Sequence, residues 1–161
     1  MVDFSFTEEQ EFFRKYLREW CEKNLSLDLV REMDTKQEIP REVIKQMADL
    51  ELLLMTVPED HGGAGADWIT ACIAAEELGH ADISLAVPVF FLVETAWGFV
   101  VDRYCTELVR EEFIRRALRG EAFIGIATTE PGGGSDIASL KSTAERDGDE
   151  WVLRGEKIYI S

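Results

Sequence analysis

The apolar residues among the first 120 positions recur at helical spacing, and they predict five helices. The first helix opens with the capping-box pattern Thr7-Glu8-Glu9-Gln10 and should extend to about Asn24. Its inner face consists of Phe13, Leu17 and Trp20. Residues 26–38, which follow this helix, are charged and mixed and give only a weak helical signal.

The second and third helices each begin at a residue suited to a helix start. Pro40 fits the first position of the second helix, whose inner face contains Val43, Ile44, Met47 and Leu50. The apolar run Leu52 to Val57 then predicts a short, buried, extended segment. Asp67 can cap the third helix, Trp68 to Leu78, and Gly79 is its expected stop.

The fourth helix begins at Asp82 or Ser84 and extends to about Tyr104. Because it is apolar on every side, we expect it to be the central helix of a bundle. Thr106 caps the fifth helix, which ends at Gly120.

After Gly120 the pattern of apolar positions changes to that of strands. Strands are predicted over Phe123–Thr129 and Lys157–Ser161, and residues 141–146 and 150–154 flank a hairpin turn at Asp147-Gly148. Helices followed only by strands predict a segregated α+β fold. We expect an N-terminal all-α helical bundle over residues 1–120 and the first strands of an antiparallel β-domain over residues 121–161.

The last predicted strand is apolar and aromatic, and it would leave an exposed sheet edge. Native proteins usually avoid such an edge because it can pair with another chain. We therefore expect residues beyond Ser161 or a partner chain to complete the sheet.

The net charge of −15 narrows the range of partners. Nucleic acid and anionic membrane surfaces would be repelled, so we expect neither as a partner. The longest apolar stretch, residues 85–101, is interrupted by Pro88, Glu94, Thr95 and Gly98 and is too short for a comfortable membrane span. An anionic ligand stays compatible with this charge, because backbone N–H groups can form a local phosphate site.

The three cysteines and two histidines are widely spaced, without a CxxC or HxxxH pattern, and we expect no metal site. A sparse, odd number of cysteines fits a reducing compartment. The N-terminus, Met1-Val2-Asp3-Phe4, lacks the basic-then-apolar order of a signal peptide. These observations predict a cytoplasmic protein.

The most informative stretch is Ile126 to Asp136, with the sequence IATTEPGGGSD. Glycine permits positive φ and close backbone approach, so this loop can direct several N–H groups toward one anion. Ser135 and Asp136 add a hydroxyl group and a hydrogen-bond acceptor. A lone glycine run would favour a plain flexible turn, and it is the accompanying motifs that favour a cofactor loop.

Residues 129–136, TEPGGGSD, resemble the T-E-P-x-x-G-S-D signature of the acyl-CoA dehydrogenases. Further matches to that family occur in the family's order: Ile39–Glu42, Val57–Gly63 (VPEDHGG), Glu76–Leu78, Ser142–Ala144 and Gly155–Ser161 (GEKIYIS). Each match alone is weak, but the set is specific and covers almost the whole chain.

The resemblance implies an N-terminal helical domain, a middle β-domain and a C-terminal helical domain that this sequence does not include. It implies non-covalently held FAD and α,β-dehydrogenation of an acyl-CoA thioester, in which a carboxylate removes the α-proton and a β-hydride passes to flavin N5. Electrons then pass to an electron-transferring flavoprotein, and the family, which acts in fatty acid and lipid metabolism, is commonly homotetrameric. The catalytic carboxylate of most members lies in the C-terminal domain, so no residue here is assigned as catalytic, and Glu130 matches a structural position.

The cofactor-binding residues that the resemblance implies are Ile126, Thr128, Thr129, Gly134, Ser135, Tyr159 and Ser161. Thr129 is expected at the edge of the flavin ring, and Ser135 near both the FAD pyrophosphate and the bound CoA thioester chain. Tyr159 and Ser161 match residues that flank the isoalloxazine. Such a site needs a flat apolar or aromatic wall and a few donors to the flavin.

Four positions depart from the family pattern and leave the subfamily open. Tyr159 stands where tryptophan is usual, Glu51 where glycine is usual, Gly133 where alanine is common and His61 where the family has an aromatic residue.

The fourth helix lines the acyl pocket in the family, which makes Phe90, Phe91 and Glu94 candidate substrate contacts. An ordinary core position is an equally good interpretation for the two phenylalanines. A pocket position for Glu94 would disfavour long, plain acyl chains. For Glu94 we favour the alternative, a solvated helix edge.

Two alternatives to the dehydrogenase remain. An acyl-CoA oxidase or a flavin monooxygenase on the same fold differs in whether reduced flavin meets oxygen. A non-catalytic scaffold subunit would keep the fold without the base.

Overall fold

The computed structural model describes residues 5–160. Its internal contacts divide the chain into two compact units, Met1–Ile124 and Gly125–Ser161. The first unit is helical and the second contains an antiparallel hairpin, so the predicted segregated α+β fold is confirmed. The predicted domain boundary after residue 120 stays a prediction. The features predicted at Met1–Phe4 and at Ser161 lie outside the described residues.

The described part of the helical unit contains α-helices joined by turns and, between α3 and α4, by the longer segment 50–67. They are α1 Glu8–Asn24, α2 Leu27–Lys36, α3 Arg41–Asp49, α4 Trp68–Ala81, α5 Ala86–Tyr104, α6 Glu107–Val109 and α7 Arg115–Leu118. A 3-10 turn covers Glu59–His61, and a π-helical turn, Arg110–Ile114, joins α6 and α7 into the predicted fifth helix. No helix in the described part is long and apolar enough to cross a membrane.

Local capping explains several helix starts. The predicted capping box forms at α1, where Thr7 and Gln10 exchange side-chain-to-backbone hydrogen bonds of 3.2 and 3.1 Å. The weak signal after α1 proves to be a helix, α2, because the Ser26 hydroxyl caps it at the N–H of Leu29. Val30 and Met33 give α2 a buried face.

Two boundaries of the third and fourth helices differ from the prediction. α4 continues through Gly79 to Ala81, because Gly79 has ordinary helical geometry and the helix ends only where Asp82 leaves it. The buried Asp82 carboxylate then accepts the N–H groups of Ser84 and Val87, at 2.9 and 2.8 Å, and so caps the start of α5.

The expectation of a central helix holds for only one side of α5. Its inner side contributes Val87 and Phe91 to the core, together with the buried polar residues Glu94, Thr95 and Asp102. The outer side stays 37–78% exposed within the described residues at Val89, Leu92, Trp97, Val100 and Tyr104. The apolar surface of α5 therefore exceeds what the helical unit itself covers.

The run Leu52–Val57 is buried, as predicted, but it is not extended. Leu54 has a φ of +53°, and the N–H of Val57 donates to the Leu54 carbonyl at 2.8 Å, so the segment folds into turns. Its side chains join the centre of the core, where fully buried neighbours include Met47, Ala74, Leu78, Phe91 and Ala117.

An ion-pair cluster ties α1 to α4. The carboxylate of Glu77 is almost fully buried and accepts Arg14 at 2.9 Å and Arg18 at 2.7 Å. The hydrogen bond from Arg18 is the main reason that the pKa of Glu77 is lowered.

The second unit contains two paired strands, β1 Thr143–Asp147 and β2 Glu150–Arg154, in the register Thr143↔Arg154. The turn lies one residue later than predicted, at Gly148-Asp149, and Gly148 has the φ of +62° that a two-residue hairpin turn needs at its first position. The predicted strands 123–129 and 157–161 form no ladder among the described residues. Only one backbone hydrogen bond among those residues, from the N–H of Ile158 to the carbonyl of Thr129, joins the two segments.

Candidate cofactor site

The signature loop is an ordered turn. Glu130 and Gly133 exchange two backbone hydrogen bonds of 3.1 Å, with Pro131 and Gly132 at the central positions. Proline restricts φ to a value that suits the first central position of such a turn. The loop therefore presents Gly134 and the residues after it from a fixed base.

The Glu130 carboxylate holds this turn against the rest of the second unit. It accepts the N–H groups of Lys141 and Ser142 at 2.7 and 3.0 Å and the ammonium of Lys157 at 2.8 Å. The hydrogen bond from Lys157, with those from residues 141 and 142, lowers the pKa of Glu130 to about 2. A carboxylate this weakly basic is suited to structure and not to proton abstraction, as the resemblance implied.

Lys157 and Ile158 hold the segment that precedes the turn. The Lys157 ammonium also donates to the carbonyl of Thr128 at 3.3 Å, and the N–H of Ile158 donates to the carbonyl of Thr129 at 3.0 Å. Thr128 and Thr129 are half-buried, and their hydroxyl groups make no hydrogen bond to another described residue. The backbone of both threonines is thus fixed while both hydroxyls stay free for a ligand.

The glycine run does not use the positive φ that glycine permits, so that part of the prediction is wrong. A Cβ atom added at Gly132, Gly133 or Gly134 would meet its nearest neighbour at 3.6–3.9 Å, an ordinary contact. What the run provides is access for a ligand to the backbone N–H groups. In the described part of the chain, the N–H groups of Gly132, Gly134, Ser135 and Asp136 donate to no acceptor.

Charge and access together suit an anionic group at this loop. The Lys141 ammonium lies 3.9 Å from the place that a Cβ on Gly132 would take. A cation beside unobstructed N–H donors is the donor set that a phosphate needs. These residues therefore fit the pyrophosphate of a dinucleotide cofactor.

The remaining predicted cofactor residues have different surroundings. Ile126 is half-buried, Ser135 is exposed, and Ser161 lies outside the described residues. Tyr159 is 89% exposed, with a left-handed φ of +57°. Its ring is available as one wall for a planar group, and it follows directly after the Ile158–Thr129 bond.

Of the predicted substrate residues, Phe90, Phe91 and Glu94 belong to the helical unit and Ser135 belongs to the second unit. Phe91 is fully buried in the core, and Phe90 is half-buried with its ring edge-on to Phe123, at a centroid distance of 5.5 Å. Glu94 is 1% exposed, so the favoured interpretation of a solvated helix edge is wrong. Its Oε1 accepts the N–H of Ile124 at 2.8 Å, and burial raises the pKa of Glu94 to about 7.

Two polar contacts of the helical unit were missed at the level of sequence. His61 places Nδ1 3.0 Å from the buried carboxylate of Asp102, which also accepts Arg110 at 3.1 Å. Arg41 lies over the ring of Phe123 at 4.8 Å. Only the charge of Asp102 within an apolar helix hinted at the first contact. The described residues nowhere gather three or more potential metal ligands.

Comparison with protein families decides the relationship. The family model of the acyl-CoA dehydrogenase N-terminal domain matches residues 7–121, and that of the acyl-CoA dehydrogenase middle domain matches residues 125–161. The chain belongs to the acyl-CoA dehydrogenase family. The resemblance carried by the signature loop and its companion motifs is therefore confirmed.

Individual acyl-CoA dehydrogenase relatives support the assignment. A 3-(aryl)acrylate reductase from Clostridium sporogenes is 34% identical over 97% of this chain and 41% of its own length. The structure of an acyl-CoA dehydrogenase from Geobacillus kaustophilus is 29% identical, with a TM-score of 0.86 over 99% of this chain and 41% of its own. A glutaryl-CoA dehydrogenase from Mycobacterium smegmatis, solved in complex with FADH2, is 26% identical, with a TM-score of 0.85 over 96% of this chain and 39% of its own.

The chain thus spans about two fifths of the length of the acyl-CoA dehydrogenase relatives it matches. It corresponds to their first two domains by the family models. The presence of FADH2 in one of these structures agrees with the cofactor that the resemblance implied.

Proposed function

We propose that this family member is an FAD-dependent acyl-CoA dehydrogenase and that its second unit supplies one side of the flavin site. The observation that carries the proposal is the signature loop, whose backbone is held by hydrogen bonds. Lys157 and Ile158 fix the backbone at Thr128 and Thr129, while the threonine hydroxyls and the N–H groups of residues 134–136 stay unpaired among the described residues. Fixed, unpaired donors are what a preorganised binding site needs.

FAD, when bound, supplies the hydride acceptor of the reaction. The role of this chain is to bind and orient it. With FAD bound, the Thr129 hydroxyl would donate toward the flavin ring edge, Ile126 and Thr128 would lie beside it, and Tyr159 and Ser161 would flank the ring. The N–H groups of Gly134 and Ser135, and the Lys141 ammonium beside Gly132, would hold the pyrophosphate.

The base that removes the α-proton is proposed to lie outside these residues. Glu130 is the buried carboxylate of the signature, and its pKa of about 2 makes it a very weak base at neutral pH. Both of its oxygens already accept hydrogen bonds, Oε2 from Lys141 and Oε1 from Ser142 and Lys157. Glu130 instead holds the loop.

The proposal includes the acyl-CoA substrate and its surroundings. Phe90, Phe91 and Glu94 remain our candidates for the acyl pocket, and Ser135 for the CoA thioester chain. For Glu94 the test is the chain-length preference of a Glu94→Gln full-length enzyme, and an unchanged preference removes Glu94 from the pocket. An electron-transferring flavoprotein as acceptor, a homotetramer, fatty acid metabolism and a cytoplasmic location are proposed on the family resemblance.

A second candidate has one observation in its favour. The relative from Clostridium sporogenes is named a 3-(aryl)acrylate reductase, which acts on the double bond in the opposite direction. The same flavin site serves either direction, because hydride transfer at N5 is reversible. An oxidase, a monooxygenase or a non-catalytic scaffold remains the alternative outcome of the test below.

The test uses the purified full-length protein. Denaturation should release FAD, and saturated acyl-CoA thioesters added without oxygen should bleach the bound flavin. Bleaching by dithionite, followed by recovery of the colour with an unsaturated acyl-CoA or acrylate but no bleaching by acyl-CoA, favours the reductase. Absence of flavin favours the scaffold, and rapid reoxidation by oxygen favours the oxidase or monooxygenase.

A further inference from the structure

The helical unit ends at a residue that is held by a buried carboxylate. Ile124 is the last residue of this unit, and its N–H donates to Oε1 of Glu94 at 2.8 Å. Glu94 lies in the middle of α5, 30 residues earlier in the chain, and is 1% exposed. The bond therefore joins the inner side of α5 to the point where the chain leaves the helical unit.

Two further contacts fasten the residue before Ile124. The ring of Phe123 meets that of Phe90, one helical turn before Glu94 on the same side of α5, in an edge-on contact at 5.5 Å. From α3, the Arg41 guanidinium lies over the other part of the same ring at 4.8 Å. The side chain of Ile124 is itself buried in the core.

Burying a carboxylate to accept the N–H of Ile124 costs free energy. Glu94 Oε2 has no hydrogen-bond partner among the described residues, and a buried carboxylate with a single N–H donor is poorly compensated for lost hydration. Burial accordingly raises the pKa of Glu94 to about 7. A glutamine could accept the same N–H without carrying a charge. An unfavourably buried carboxylate that contacts the N–H of Ile124 points to a role for Glu94 at that residue.

We propose that Glu94 is a positioning residue, which fixes the backbone of Ile124 and thereby the point from which residues 126–129 enter the cofactor loop. Ile126, the first candidate flavin contact, follows Ile124 by two residues, and two residues span at most about 7 Å. This inference rests on the proposed function, since it concerns the flavin contacts of that site.

The test compares three variants of the full-length protein. Glu94→Gln keeps an acceptor for Ile124, and Glu94→Met removes it at similar volume. Asp82→Ala is the matched control, because Asp82 is an equally buried carboxylate that accepts the N–H of Val87 at 2.8 Å at the start of α5. The readouts are amide hydrogen exchange of the peptide containing Ile124 and the visible circular dichroism and reduction potential of the bound flavin.

We expect the Ile124 amide to exchange at least tenfold faster in Glu94→Met than in the wild type, with an altered flavin signal. Glu94→Gln should match the wild type in exchange. Asp82→Ala should lose thermal stability, while the exchange of the Ile124 amide, the circular dichroism of the flavin and its reduction potential stay unchanged. Faster exchange in Glu94→Gln would overturn the inference even if Glu94→Met failed to fold.

Two results separate this inference from the proposed function. A wild-type protein without FAD refutes the proposed function, and the positioning role falls with it. A wild-type protein that binds FAD, together with a Glu94→Met variant whose flavin signal is unchanged, overturns the positioning role alone.

Discussion

Lys157 Nζ lies 2.8 Å from Glu130 Oε1, and this ion pair joins the segment after β2 to the signature turn. The same ammonium reaches the carbonyl of Thr128, so one side chain holds both the turn and the segment that leads into it. The backbone of the candidate flavin contacts therefore depends on a residue outside the signature.

Replacing Lys157 with methionine should weaken FAD retention by the full-length protein. The substitution leaves the poorly exposed Glu130 carboxylate without its cation, and the pKa of Glu130 should rise toward its ordinary value. Equilibrium dialysis of FAD, together with thermal unfolding, measures the effect. Arg154→Met is the control, because it removes an exposed pair with Glu145 in the same unit and should cost at most about 1 kcal/mol. Equal FAD affinity in both variants would contradict the role of Lys157 in holding the signature loop.

Glu130 should make the protein sensitive to acid. Its pKa is about 2 in the folded protein, against an ordinary value of 4.5, so the unfolded state takes up the proton first. The stability that Glu130 contributes is complete above pH 4.5 and is lost as the pH falls toward 2. The unfolding free energy of the wild type, compared with that of Glu130→Gln between pH 6 and about 3, checks this sign; parallel curves would refute it.

Glu94 should change the stability of the protein with pH in the opposite direction from Glu130. Burial raises its pKa from 4.5 to about 7, so the folded state holds the proton more tightly than the unfolded state. The stability of the wild type relative to Glu94→Gln should be highest below pH 4.5 and fall as the pH rises through 7. The change amounts to at most roughly 3 kcal/mol. Chemical denaturation across this range measures it, and a difference that is constant with pH would count against a buried, protonatable Glu94.

Sequence reasoning worked where the cause of a structure is local. The capping box at Thr7, the cap at Asp67 and the stop at Gly120 each depend on residues within a few positions, and all three form as predicted. The fold class followed from the order of these elements, and the family from residues 129–136 with their companion motifs.

The contacts that sequence reasoning missed are distant in the chain. The partner of Glu94 is a backbone N–H 30 residues away, and Lys157 is 27 residues from Glu130. No local pattern identifies the N–H group that donates to Glu94 or the carboxylate that accepts from Lys157. The end of α4 was misplaced for a different reason, because a glycine such as Gly79 can also continue a helix when its neighbours favour it.

Glu51 offers a prediction about stability alone. It occupies the left-handed position after α3, with φ +57°, and the N–H groups of Glu51 and Leu52 donate to Ala48 and Met47 as in a Schellman motif. Gly120 takes the same position after α7, with φ +69°. Glu51→Gly should therefore stabilise the protein by about 1 kcal/mol, whereas Gly120→Ala should destabilise it by about the same amount.

Urea denaturation of both variants measures this difference. Each change leaves the cofactor loop untouched, so FAD binding should stay constant. A Glu51→Gly variant less stable than the wild type would mean that the Glu51 side chain contributes more than its backbone strain costs.

The hydroxyl group of Thr129 is proposed to donate to the bound flavin. The most direct measurement is the reduction potential of the flavin in full-length Thr129→Val, with Thr143→Val, an exposed position on β1, as the control. Loss of a donor to the reduced, anionic flavin should lower the potential of Thr129→Val by roughly 30 mV or more. The control should match the wild type. An unchanged potential in a Thr129→Val protein that retains its FAD would contradict the claim.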